Sequence, residues 1–130
     1  MRHALSAAVS AVLLSIVLPR AAEAQAGPRD CGSLRTQTEM NACAAEDYRV
    51  ADAELNRVYG ELRARLDPRR RQVLVVAERA WLRYRDAHCA FAGSEVEGGS
   101  MQPLVVASCR AAATRARTAE LRAALQTASR

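Results

Sequence analysis

The sequence predicts an all-α domain: a small bundle of three main helices stapled by two disulfides. Three observations carry this. Beyond residue 24, apolar residues recur at three- and four-residue steps, and no segment alternates with period two. Most Gly and Pro residues of that region fall in three breaks, around Gly27–Ser33, at Asp67–Pro68 and across Gly93–Pro103. The four cysteines, Cys31, Cys43, Cys89 and Cys109, form an even set, which in a small exported domain reads as two disulfides.

Residues 1–24 read as a signal peptide. Arg2 and His3 give a short positive start, Ala4 to Leu18 is apolar, and Ala22-Glu23-Ala24 fits the small-x-small cleavage pattern. The apolar run is about 15 residues, short of the roughly 20 that span a bilayer. No Cys adjoins the cleavage site, so no lipid anchor is expected. The expected location is periplasmic or secreted. A cut after Ala24 takes the chain from 130 residues to 106, enough for one small domain.

Residues 25–35 hold Gly27, Pro28 and Gly32 and form an irregular lead-in. The helical domain occupies 36–127. It opens on Thr36-Gln37-Thr38-Glu39, a capping box with Glu39 three residues after Thr36. Met40, Ala44, Tyr48, Ala51, Leu55, Val58, Leu62 and Leu66 then make one continuous stripe, a helix of about thirty residues. Gly60 lies inside it and allows a bend. Asp67-Pro68 ends this helix and starts the next, with Asp67 as N-cap and Pro68 at the first position. So short a turn predicts that the two helices lie antiparallel as neighbours.

The second helix runs to about Cys89 or Phe91 and carries the only Trp of the chain. Trp81, Tyr84 and His88 share a face with Ala77 and Leu74. In a chain this poor in aromatics, that face is expected to centre the core, with Trp81 and Tyr84 as its anchors. A loop from Gly93 to Ser100 follows. The third helix starts near Ser100 or Gln102, with Pro103 in its first turn, and ends near Gln126. Its stripe is Ala107, Ala111, Thr114, Thr118, Leu121 and Leu125.

Two disulfide pairings are open. In a hairpin turning at Asp67, Cys43 and Cys89 stand at the same height, which favours Cys43–Cys89 with Cys31–Cys109. Neither lies at the centre of its apolar stripe, however, and Cys31–Cys43 with Cys89–Cys109 would close two local loops instead.

No catalytic constellation emerges. His88 is the only His beyond the leader and sits on the Trp81 face. Neither a nucleophile elbow nor a phosphate-binding glycine loop is present. Glu46 and Asp47 are sequence neighbours on a helix, side by side rather than across a cleft. The protein is therefore expected not to be an enzyme and to need no cofactor. With no C-x-x-C pair and one His, the cysteines do not read as metal ligands either.

Charge is more informative. All 19 basic residues are Arg. Removing residues 1–24 takes out Arg2, Arg20 and Glu23, leaving 17 Arg, 13 acids and a net charge of +4. That is too weak to indicate a nucleic-acid partner. The charges are also segregated: seven acids and three Arg from Asp30 to Glu61, then eight Arg and three acids from Leu62 to Ala90. Glu46, Glu54 and Glu61 lie on one side of the first helix and are the partner-binding candidates, an acidic strip offered to a cationic protein.

Several motifs together resemble a known family. They are Thr-Glu-Met-Asn-Ala-Cys (38–43), Ala-Asp-Ala-Glu-Leu-Asn-Arg-Val-Tyr (51–59), Glu-Arg-Ala-Trp-Leu-Arg-Tyr-Arg-Asp-Ala-His-Cys (78–89), Gly-Gly-Ser (98–100), and Cys109 with Thr114, Arg117 and Leu121. In order and spacing this is similar to the LprI-like lysozyme inhibitor family, from Cys31 to about Leu125. The resemblance implies a small exported helical protein with four cysteines that inhibits lysozyme, its rigid surface covering the glycan cleft. The chain departs from the family at Glu78, where Gln is usual, and in lacking a lipid-attachment signal. The rival expectation is a periplasmic interaction or envelope-stress module whose partner is not lysozyme.

Overall fold

The computed structural model describes residues 27–128; the expected signal peptide lies outside them. After a short 3-10 turn, Cys31–Ser33, come three long helices, α1 (Gln37–Arg65), α2 (Pro68–Gly93) and α3 (Gln102–Ala128), with a second 3-10 turn, Ser94–Val96, between the last two. There is no strand among the described residues. The order is up, down, up.

The helix starts are built as their sequences direct. The Glu39 N–H donates to Thr36 Oγ1 at 3.2 Å, and the Thr36 N–H donates to Glu39 Oε2 at 3.0 Å, completing the capping box. At α2, the Arg70 N–H donates to Asp67 Oδ1 at 2.9 Å. As expected of one long helix, α1 runs continuously through Gly60, from Gln37 to Arg65.

The main packing is between α1 and α3 rather than between α1 and α2. Ala44, Ala51, Leu55, Val58 and Leu62 of α1 are buried against Ala111, Thr114, Thr118 and Leu121 of α3. Both sets step by three and four residues, so the pair reads as a parallel seam of coiled-coil type. Two ion pairs flank it at constant offset, Asp47 with Arg115 and Glu54 with Arg122. Small residues dominate its upper half and admit close backbone approach. Leu55, Val58, Leu62, Leu66 and Leu121 form the apolar core at its lower half.

This corrects three expectations. The backbones of α1 and α2 hardly approach each other, so the antiparallel neighbours of the sequence reading are not the packed pair. The favoured disulfide pairing fails for the same reason: the bonds are Cys31–Cys43 and Cys89–Cys109. The first ties the lead-in to α1, and the second ties α2 to α3. The third correction concerns the core. Trp81 packs, half-buried, at the margin of the leucine cluster, and Tyr84 is 62% exposed and anchors nothing there. The reason is the rotation of α2, which turns Glu78, Arg85, Cys89 and Gly93 inward. Gly93 lies so close to α3 that a Cβ there would stand 2.5 Å from Val106.

Candidate functional site

Each carboxylate of the expected acidic strip already has an arginine of its own helix. Arg49 donates twice to Glu46 at 2.7 Å. Arg57 forks onto Glu54 at 2.8 and 2.7 Å and also reaches Glu61. Arg122 of α3 adds a further bond to Glu54. The Arg49 bond holds Glu46 below the usual carboxylate range. Glu54 is lowered likewise, first by the Arg57 bond, with burial opposing and Arg122 assisting. The strip is thus a row of ion pairs, not a bare anionic face.

The motifs that carry the family resemblance converge on the space between the helices. Arg85, almost wholly buried, donates to Asp52 Oδ1 and Asp86 Oδ1 at 3.1 Å and to Thr114 Oγ1 at 3.3 Å. Its guanidinium also lies 5.2 Å from the Tyr48 ring centroid and 5.3 Å from that of Trp81. Arg117 bridges Glu78 at 3.0 Å and Glu120 at 2.8 Å and approaches Trp81 from 5.8 Å. Arg115 grips Asp47 bidentately at 2.9 and 2.6 Å. These residues pair with one another across three helices, only Glu78 Oε1 being buried without a hydrogen-bond partner, so their first role is to fix how α2 sits on α1 and α3.

Catalytic geometry is not found there. His88 is exposed and stacks on Tyr84 with ring centroids 5.5 Å apart. Among the described residues, no group of three His, Cys, Asp or Glu side chains is placed to hold a metal ion. No helix among them is long and apolar enough to cross a membrane.

The segment between α2 and α3 is different. It is a built turn, not a slack loop. The Glu97 N–H donates to Ser94 O at 3.3 Å, the Gly99 N–H to Val96 O at 3.0 Å, and the Gln102 N–H to Gly99 O at 3.1 Å. Gly98 takes φ +72°, the left-handed region that glycine enters without strain, and its N–H donates to Gln102 Oε1 at 3.1 Å. Asn41 Nδ2 of α1 donates to Ser100 O at 3.0 Å, fastening the turn to the first helix. Cys89–Cys109 clamps the two helices from which it projects.

Its exposed residues include two carboxylates, Glu95 and Glu97, and Met101, 48% exposed. Neither carboxylate makes an ion pair among the described residues, and no arginine occurs between Gly93 and Met101. The sequence marks this stretch as a glycine loop able to enter a cleft, a candidate surface second to the α1 acids, and singles out no residue in it. The available signal is two acids without a neighbouring Arg, in a chain where most other acids lie three or four residues from one.

In comparison with known proteins, the family model described as "Lysozyme inhibitor LprI" matches residues 29–121. An uncharacterized protein of Rhizobium meliloti (strain 1021) is 38% identical over 135 residues, spanning 94% of this chain and 97% of that one. No solved structure matches the chain.

Proposed function

The chain belongs to the LprI lysozyme inhibitor family, and from that premise we propose that it is an exported inhibitor which presents the α2–α3 turn to the glycan cleft of a lysozyme. The observation that carries this is the braced turn itself: an unpaired carboxylate at Glu97 beside exposed Met101, on a backbone fixed by Gly98, Asn41 and the Cys89–Cys109 bond. Steric inhibitors gain affinity from rigidity, because little conformational freedom is lost on docking. Common lysozymes are strongly basic, so a net charge of +4 opposes long-range attraction and a local anionic tip is what can dock. The α1 carboxylates Glu46, Glu54 and Glu61 suit this less well, since docking would have to compete with their own arginines. Two disulfides and the exported family support a location outside the cytoplasm.

The test is lysis of a bacterial suspension by lysozyme with and without the mature protein. Wild type should slow clearing. Glu97→Arg with Met101→Glu should weaken inhibition at least about ten-fold, a loss of about 1.4 kcal/mol or more. The Glu46, Glu54 and Glu61→Gln triple variant should inhibit like wild type. No inhibition by wild type across lysozyme classes would leave the interaction-module reading, which the overall positive charge favours.

A further inference from the structure

The face of α2 opposite its buried ionic face is apolar and has no partner in the fold. Val73, Ala77, Ala80, Tyr84, Ala87 and Phe91 follow one another by steps of four, three, four, three and four. That is the spacing of a coiled-coil seam, about 27 Å long at 1.5 Å per residue. All six are exposed; Val73 is 64%, Tyr84 62% and Phe91 77% exposed. Beside its N-terminal end, a groove of about 470 Å³ opens between Leu62 and Leu66 of α1 and Val73 and Leu74 of α2, with Arg69 and Arg70 at its lip.

We propose that this face pairs with the same face of a second copy, in an antiparallel two-fold dimer. The sequence of the seam is self-complementary in that arrangement. One register sets Phe91 of one copy opposite Val73 of the other, Tyr84 opposite Ala80, and Ala87 opposite Ala77. Each aromatic then meets a smaller residue, and the match is repeated by the two-fold axis, as an isologous interface requires. The groove is lined in part by Val73, so Phe91 of the second copy sits over its mouth, once in each copy. The charges agree. The same register brings Arg69 towards Glu95 of the second copy. Arg69 and Glu95 each lack an ion pair among the described residues. A parallel dimer would instead set Tyr84 on Tyr84 and Arg69 on Arg69, and would leave both grooves open. Contiguous exposed apolar patches mark interaction sites. The tip at Glu97 and Met101 takes no part, so the dimer stands or falls separately from lysozyme inhibition.

Sedimentation of the mature, disulfide-intact protein over a range of concentrations tests the inference without lysozyme. Wild type should run as a dimer in the micromolar range. Tyr84→Glu and Phe91→Ala should each weaken association at least about ten-fold, with circular dichroism unchanged because neither side chain is buried. Arg69→Glu should weaken it, and adding Glu95→Arg should restore it, which reports the antiparallel register. A wild type that stays monomeric at every concentration overturns the proposal and hands the groove to another occupant. So does a dimer insensitive to Tyr84→Glu, or one not rescued by the charge exchange.

Discussion

Gly60 and Gly93 both end up inside helices, yet their side-chain hydrogens face different surroundings. At Gly60 a Cβ would meet nothing within 4 Å, and the residue is exposed. Its only effect on α1 is the entropic cost of glycine in a helix. Gly60→Ala should therefore raise stability by about 0.5–1 kcal/mol. At Gly93 the Cβ would stand 2.5 Å from Val106 Cγ2, a contact no relaxed structure contains. Valine has little rotamer freedom to yield, so α2 would have to lift from α3 where Cys89–Cys109 holds it. Gly93→Ala should cost about 1–3 kcal/mol by overpacking. Denaturant unfolding of the two variants beside wild type reads both signs in one experiment. A stabilised Gly93→Ala would mean that α2 does not approach α3 as closely as described.

At the scale of the element, α1 and α3 are held by apolar seams whose flanks are ionic, and the flanks titrate. Glu54 is held below the ordinary value of 4.5, first by the Arg57 bond and then by Arg122, against the opposing effect of burial. A carboxyl lowered in the folded state contributes stability that is complete above the unfolded value and is lost as pH falls through the folded one. Thermal stability should therefore decline as pH falls below about 4.5, and Glu54→Gln should flatten that decline while lowering stability at neutral pH. An identical acid profile in the variant would remove Glu54 from the account. The same contrast explains what the sequence made legible. The stripes of α1 and α3 were readable because their buried residues are periodic and mostly apolar, with Thr114 and Thr118 in step with the stripe. The orientation of α2 was not. Its buried face is Glu78, Arg85 and Cys89, whose partners are Arg117, Asp52 with Thr114, and Cys109, all far away in the chain. Helical spacing alone assigned the interior to Trp81 and Tyr84, and so to the face that is largely exposed. The expected binding strip failed to stand free for a similar reason: Arg49 and Arg57 are close in sequence to Glu46, Glu54 and Glu61, but only side-chain geometry shows them bonded.

For the whole molecule, the two disulfides stabilise alike but only one of them shapes the tip. Cys31–Cys43 closes a sequence separation of 12, and Cys89–Cys109 one of 20. Loop closure of that size is worth about 3 kcal/mol in the chain-entropy model, and the logarithm makes the two nearly equal. They differ in what they hold. The first fastens the lead-in to the start of α1, with Cys31 itself buried, and joins neither α2 nor α3. The second clamps the helices that carry the α2–α3 turn and fixes the height at which Glu97 and Met101 project. Cys31→Ser with Cys43→Ser, and Cys89→Ser with Cys109→Ser, should each lower unfolding stability by about 2–4 kcal/mol. At a temperature where circular dichroism finds both variants folded, inhibition of lysozyme should part them. The Cys31 and Cys43 variant should inhibit like wild type. The Cys89 and Cys109 variant should inhibit at least about ten-fold less well, because its turn must be ordered again at each encounter. Equal inhibition by the two would separate the turn from the inhibitory surface.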